Sequence, residues 1–181
     1  MLEPTPGQTV GPFFGFALPY PGDNELVPPG HPAAVRLHGR VLDGDGEPVP
    51  DALIELWQPD RDGAAPRATG SLHRDGFTFT GWGRAATDGA GRYTFSTITP
   101  GPTAPGMAAF FAVCVFARGL LDRLFTRVYV PGDAEALAKD SLLASVDPDR
   151  RSTLVATRDK LGYAFDIRLQ GERETVFLEY S

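Results

Sequence analysis

The sequence predicts an all-β sandwich with an extended N-terminal arm and one short helix. Seven or eight short segments have the length and apolar pattern of strands, whereas only one segment has the pattern of a helix. The chain contains 21 glycines and 17 prolines in 181 residues, and such frequent turn residues favour short strands. This length suits one domain, so we expect an arm over residues 1–32, not a separate domain, and a single sandwich over residues 33–181.

The arm is rich in proline and shows no sustained periodicity. Proline breaks helices and cannot donate to a strand ladder, so this segment predicts neither a helix nor a central strand. The arm also carries more aromatic residues than a disordered tail does. We therefore expect it to lie on a protein surface, which could belong to another chain.

The first half of the sandwich begins with a clear alternation. Val35, Leu37, Gly39 and Val41 share one face of a predicted strand, and the residues between them are polar. The segment 108–117 is nearly continuously apolar, which predicts a strand buried on both faces. The predicted strands of this half are Val35–Val41, Ala52–Trp57, Gly91–Ile98, Ala108–Ala117 and Arg123–Val130.

The second half contains the helix. Ala134–Val146 has part of an apolar stripe, with Asp133 in the position of an N-cap. Three short strands are predicted to follow it, Thr153–Thr157, Tyr163–Leu169 and Thr175–Glu179.

Composition excludes several classes of function. The net charge is -6, with 17 basic and 23 acidic side chains and no basic cluster, which argues against a nucleic-acid partner. No apolar run is long enough to span a bilayer and the N-terminus has no signal pattern, so we expect no membrane association and a cytoplasmic location. Cys114, the single cysteine, is expected to be a small core residue.

The common catalytic patterns are absent from the sequence. The three histidines, His31, His38 and His73, have no nucleophile motif nearby and form no His-x-His pair. The GWGRAA run at residues 81–86 is interpreted as a chance match to a dinucleotide motif, because no βαβ unit surrounds it. Arg118 stands out because it directly follows the most apolar strand, where sandwich loops gather, unless it simply pairs with a carboxylate such as Asp122.

Several spaced motifs resemble the intradiol ring-cleavage dioxygenases, and together they span nearly the whole chain. They are Leu37-x-Gly39-x-Val41 followed by Ile54–Gln58 and Gly63, the segment 83–102, FARG at 116–119, TRVYVPGD at 126–133, and the segment 165–177. The resemblance implies an intradiol-dioxygenase-like β-sandwich.

Catalytic chains of that family hold a ferric ion with two tyrosines and two histidines. By the resemblance, these positions fall on Ala65, Thr103, Phe110 and Ala112, none of which can ligate iron. We therefore expect this chain to bind no metal, with Fe(3+) held by a homologous beta subunit, and Phe110 to fill the vestigial site as core. A glutamine of catalytic chains falls on Arg127.

The resemblance further implies a role in a two-subunit enzyme, in which αβ pairs assemble into a larger oligomer. Thr9, Gly11, Pro12 and Arg118 are then expected to face the substrate in the partner's site. The implied reaction inserts both atoms of O2 into 3,4-dihydroxybenzoate and gives 3-carboxy-cis,cis-muconate, in the β-ketoadipate pathway of aromatic catabolism. This chain alone is not expected to be catalytic.

Two other functions stay open at this point. A free-standing β-sandwich binding module would show a similar turn-rich strand pattern, although it would not need the aromatic arm. A homomeric enzyme acting on catechol or hydroxyquinol is the third possibility, and the four missing ligands argue against it.

Overall fold

Two β-sheets packed face to face form the protein, which confirms the predicted all-β sandwich. The computed structural model describes residues 11, 14–67 and 74–179. The strands are β1 (Val35–Leu42), β2 (Leu53–Trp57), β3 (Trp82–Ala86), β4 (Arg92–Thr97), β5 (Phe110–Phe116), β6 (Leu124–Tyr129), β7 (Thr157–Arg158), β8 (Gly162–Ala164) and β9 (Ile167–Arg168).

Strand β1 organises the first sheet. This sheet has the order β4-β1-β8-β7, and β9 pairs with the end of β1. Strand β1 runs antiparallel to β4 and parallel to β8 and β9. The second sheet has the order β3-β2-β5-β6 with antiparallel pairing throughout.

The core lies between the inward faces of the two sheets, and strand periodicity accounts for it. Leu37 and Phe95 face inward from the first sheet, and Ile54, Phe111 and Val115 face them from the second; all five are completely buried. Burying each such side chain contributes about 1.5–3 kcal/mol, so this interface supplies most of the stability of the fold.

The outer surface of β5 differs from the expectation. We predicted burial on both faces, but Phe110, Ala112 and Phe116 on the outer face are only half-buried. Cys114, on the same face, is buried as expected. The high apolar content of β5 therefore reflects a sheet face that is only partly covered by the described residues.

Strand β3 was missed in the sequence because its glycines were interpreted as a chance motif followed by a turn. Gly83 lies within this strand, where an added Cβ would stand 2.5 Å from Leu26. The glycine at position 83 therefore lets Leu26 pack closely against the strand and does not mark a turn. The last three predicted strands are also shorter than expected, because residues 148–154 form a 3₁₀ helix and residue 178 forms only an isolated bridge to Phe125.

The expected single helix is two helices, and the arm contains a third. The α-helices are α1 (Phe14–Ala17), α2 (Ala134–Lys139) and α3 (Ser141–Ser145). Asp133 caps α2 as predicted, accepting a hydrogen bond from Ala136 N at 2.9 Å. Asp140 ends α2 and caps α3, accepting from Leu142 N and Leu143 N at 3.0 Å each. The cap side chain is therefore what divides the predicted helix.

The second part of the arm lies on the chain's own sandwich. Leu26 and Val27 are buried, and Glu25 forms a bridge to Ser96 beside β4. Helix α1 occupies a segment where no helix was expected. Thr9 and Pro12 lie outside the described residues.

No helix within the described ranges is long and apolar enough to cross a membrane.

The Gly39→Ala substitution is expected to destabilise the fold strongly. A Cβ at Gly39 would stand 1.8 Å from the carbonyl oxygen of Phe165, whose backbone N–H bonds to His38 O at 2.8 Å. Because backbone must move to relieve this clash, we expect a loss of about 2–4 kcal/mol in the free energy of unfolding, measured by urea denaturation. Gly89→Ala is the control, since its Cβ would meet nothing within 4 Å. Equal effects of the two substitutions would contradict this account of β1.

Candidate functional site

The four positions predicted to have lost iron ligands lie in two places. Phe110 and Ala112 occupy the same outer face of β5, as the period of a strand requires. Ala65 and Thr103 are exposed in two loops. These loops pack closely, because an added Cβ on Gly63, at φ +85°, would stand 1.9 Å from Pro102 O.

The expectation that Phe110 fills the vestigial site as core is only partly confirmed, because Phe110 packs against a buried cluster but is itself half-buried. Ala65 and Thr103 are exposed, while Phe110 and Ala112 are half-buried. Ala65 and Thr103 lie in loops, and Phe110 and Ala112 lie on the outer sheet face. An apolar side chain at such a position stays partly exposed unless another segment packs over it.

Arg127 occupies the space beside the two strand positions. It is the direct cross-strand partner of Ala112, and its guanidinium carbon lies 4.0 Å from the centre of the Phe110 ring. Its Nη1 donates to the hydroxyl of Tyr129 at 3.3 Å, and that hydroxyl donates to Asp140 Oδ1 at 2.8 Å. Burial raises the pKa of Tyr129 to about 12, so this phenol stays protonated at neutral pH.

These residues do not fit a ferric ion. Methyl groups, a phenyl ring and an exposed threonine offer neither an imidazole nor a phenolate, and the guanidinium of Arg127 beside them would repel an added positive charge. Within the described ranges, no group of three or more His, Cys, Asp or Glu side chains is arranged to hold a metal ion.

A shallow groove of about 520 Å³ continues from Ala112 across the same sheet face. Trp57 and Phe125 line it, with Arg123 stacked 4.9 Å from the centre of the Phe125 ring. Cys114 also lines it, and burial raises the pKa of that thiol to about 12. The thiol is therefore not an activated nucleophile at neutral pH, in agreement with the structural role expected for it.

Arg118 lies at the end of β5, as the sequence indicated. Its side chain is 69% exposed and forms an ion pair with Asp51 rather than with Asp122. An exposed pair of this kind contributes little stability, so the guanidinium can exchange Asp51 for another carboxylate at low cost. Gly11 is exposed, with nothing within 4 Å of an added Cβ. No atom of Arg118 therefore lies within 4 Å of that Cβ position.

The sequence reasoning missed a charged pair on the outer sheet face. Arg84 on β3 bonds Glu55 on β2 at 2.6 Å, and its guanidinium carbon lies 5.2 Å from the centre of the Trp82 ring. Trp57 packs beside Trp82 with 5.8 Å between ring centroids, yet remains 54% exposed. The positions of Glu55 and Trp57, two residues apart on β2, indicate that both lie on the outer face. Their partners Arg84 and Trp82 lie on β3, which the sequence pattern did not predict. The face combines aromatic surface and paired charge, as interfaces do.

Comparison with known proteins now decides the family. The family model described as Dioxygenase matches residues 11–171. The chain belongs to the dioxygenase family. This confirms the resemblance drawn from its motifs.

The relatives include both kinds of subunit. The chain is 38% identical to the protocatechuate 3,4-dioxygenase alpha chain of Burkholderia cepacia, over 98% of each chain. It is 34% identical to the beta chain from the same organism, over 86% of this chain and 74% of the relative. Among solved structures, the dioxygenase domain of a fusion protein from Streptomyces sp. SirexAA-E has a TM-score of 0.62 and 28% identity, covering 93% of this chain and 99% of that domain.

Placing two histidines on β5 should not create tight metal binding while Arg127 is present. In the Phe110→His/Ala112→His variant both imidazoles would share one strand face, but the guanidinium opposite residue 112 repels a cation. Adding Arg127→Gln is expected to tighten Ni²⁺ binding about tenfold or more, measured by calorimetry.

Arg123→Gln in the double-histidine background is the matched control for this effect. This substitution also removes one positive charge, at the start of β6. It leaves the surroundings of Phe110 unchanged, because Arg123 stacks on Phe125. If both arginine substitutions tighten binding equally, general charge rather than the position of Arg127 governs the site.

Proposed function

We propose that this chain is the alpha subunit of a protocatechuate 3,4-dioxygenase and that it completes the active site of an iron-bearing beta subunit. The observation that supports this most directly is 38% identity to an alpha chain over 98% of both sequences, combined with non-ligating residues at all four inferred iron positions. A chain that keeps this fold but cannot hold iron needs a homologous partner in order to contribute to ring cleavage.

The two alternatives explain less. A free-standing binding module does not account for similarity that covers the alpha chain from end to end. A homomeric catechol or hydroxyquinol enzyme would need its own ferric ligands, and here a guanidinium stacks on the phenyl ring of Phe110 beside that position.

The chemistry would be divided between the subunits. The ferric ion, held by the beta subunit, would activate 3,4-dihydroxybenzoate for insertion of both atoms of O2 between its hydroxylated carbons, giving 3-carboxy-cis,cis-muconate of the β-ketoadipate pathway. This chain would supply positive charge from Arg118 and a rigid wall from Thr9, Gly11 and Pro12 in the arm. The αβ pairs would assemble into a larger oligomer in the cytoplasm.

Co-expression tests the subunit assignment. We expect the full chain, produced alone, to contain no stoichiometric iron and to cleave no 3,4-dihydroxybenzoate, because its own residues at the four positions are not ligands. Co-expressed with the beta chain from the same genome, it should co-purify in equal amounts with about one iron per pair. Iron content, subunit ratio and oxygen uptake are the measurements.

A wine-red ferric tyrosinate colour in the isolated chain would overturn the proposal. So would a beta chain that reaches full activity without this chain.

Arg118→Ala in the αβ complex should weaken use of the carboxylated substrate. A partly desolvated guanidinium beside a carboxylate contributes on the order of 1–3 kcal/mol, so kcat/KM for 3,4-dihydroxybenzoate should fall about 5- to 150-fold. The loss should be smaller for uncharged catechols, which lack the carboxylate.

Asp51→Asn is the control, because it breaks the ion pair with Arg118 but keeps the guanidinium. It should preserve the preference for the carboxylated substrate. Equal losses on both substrates in Arg118→Ala would show that Arg118 only holds its loop.

A further inference from the structure

A large groove lies on the sheet opposite to Phe110 and Ala112. It has a volume of about 1060 Å³ and runs between the arm segment 19–24 and the outer face of β1 and β4. One wall consists of Pro19, Tyr20 and Pro21, and Leu161, itself 45% exposed, stands among the other lining residues. The groove therefore has rigid, flat apolar surfaces suited to an aromatic ring.

The floor of this groove carries a row of basic side chains. Arg36, His38 and Arg40 occupy alternate positions of β1, so all three lie on the same outer face. Arg92 of β4 is the direct cross-strand partner of Arg40. Like charges placed directly opposite each other destabilise a strand pair, so this arrangement costs stability unless an anion lies nearby.

Carboxylates within the protein balance only part of this charge. Asp159 bonds His38 at 3.0 Å, and Asp166 pairs with Arg40 at 3.5 Å. Among the described residues, no carboxylate lies within ion-pair distance of Arg36 or Arg92.

The two remaining acidic residues of the groove form no ion pair with the floor. Asp88 accepts hydrogen bonds from the backbone N–H groups of Arg92 and Ala90 at 2.9 Å each, and these bonds, together with the nearby charge of Arg92, lower the pKa of Asp88. Asp23 accepts from Tyr20 N at 3.2 Å, and the cations that act on it are Arg84 and Arg74 rather than those of the floor. Arg36 and Arg92 therefore line the groove with guanidinium groups that lie outside ion-pair distance of every described carboxylate.

We propose that this groove binds a small aromatic carboxylate. The carboxylate would lie between Arg92 and Arg40, where an anion relieves the repulsion between the two guanidiniums, and Arg36 would add to the positive potential. The ring would pack against Tyr20 and its flanking prolines. The site is formed by this chain's own residues, and it does not require the beta subunit.

Calorimetric titration of the full chain tests the site with benzoate, catechol and inorganic phosphate as probes. Benzoate has both the ring and the carboxylate, so we expect saturable 1:1 binding at least tenfold tighter than that of catechol or phosphate. Arg92→Gln is expected to weaken benzoate binding about tenfold or more. Thr94→Trp, which fills the groove from an exposed position between the arginines without removing charge, should abolish it.

A control variant locates the binding. Arg61→Gln removes one exposed guanidinium outside the groove and should leave benzoate affinity unchanged. Circular dichroism melting of every variant identifies any that fails to fold, and Thr94→Trp and Arg92→Gln test the site independently.

Phosphate binding as tight as benzoate binding would overturn the proposal, because it would indicate a general anion patch. Absence of saturable benzoate binding would overturn it as well, as would a loss in Arg61→Gln equal to that in Arg92→Gln. Assembly and iron content are measured separately in the αβ complex, so failure of the groove and failure of the subunit assignment give different results.

Discussion

The structure depends on the close backbone contact that β1 makes at its centre. Gly39 lies where any side chain would collide with the carbonyl of Phe165. This contact lets the chain return from β8 to β9 along the same edge of β1, which keeps β1 bonded on one side to β4 and on the other to both later strands. Leu37 and Val41 are thereby held in the core, and Arg36, His38 and Arg40 are held on the outer face.

The same strand periodicity explains how the chemistry of an outer sheet face can change while the fold is kept. Phe110 and Ala112 alternate with Phe111 and Val113, which belong to the core. Substitution at the outward positions therefore changes chemistry without changing the sheet packing. The cation of Arg127 and the phenol of Tyr129 then form a local network that ends at the buried carboxylate of Asp140. The positive charge of Arg127 therefore lies beside Phe110 and Ala112.

The two outer faces of the sandwich have different chemical character. The four-stranded sheet presents Trp57 and the Glu55–Arg84 pair, which suits a protein surface that meets another protein. The five-stranded sheet presents a larger groove with arginines on its floor and aromatic and proline residues in its wall. Because the inward faces are committed to one shared core, each outer face can serve a separate partner or ligand.

The sequence determined the fold class, most strand positions and the family, because alternation and spaced glycines are local signals. It also identified Arg118 as an exposed cation at the end of β5 and Cys114 as buried. Only the tertiary structure revealed strand β3, whose glycine serves a close approach to Leu26 instead of a turn. Likewise, Arg127 stacks on Phe110, Arg118 pairs with Asp51, and Arg92 faces Arg40 because strand register and loop packing join residues far apart in the chain. Local pattern shows which face a side chain occupies, but it does not contain the register that decides its neighbour.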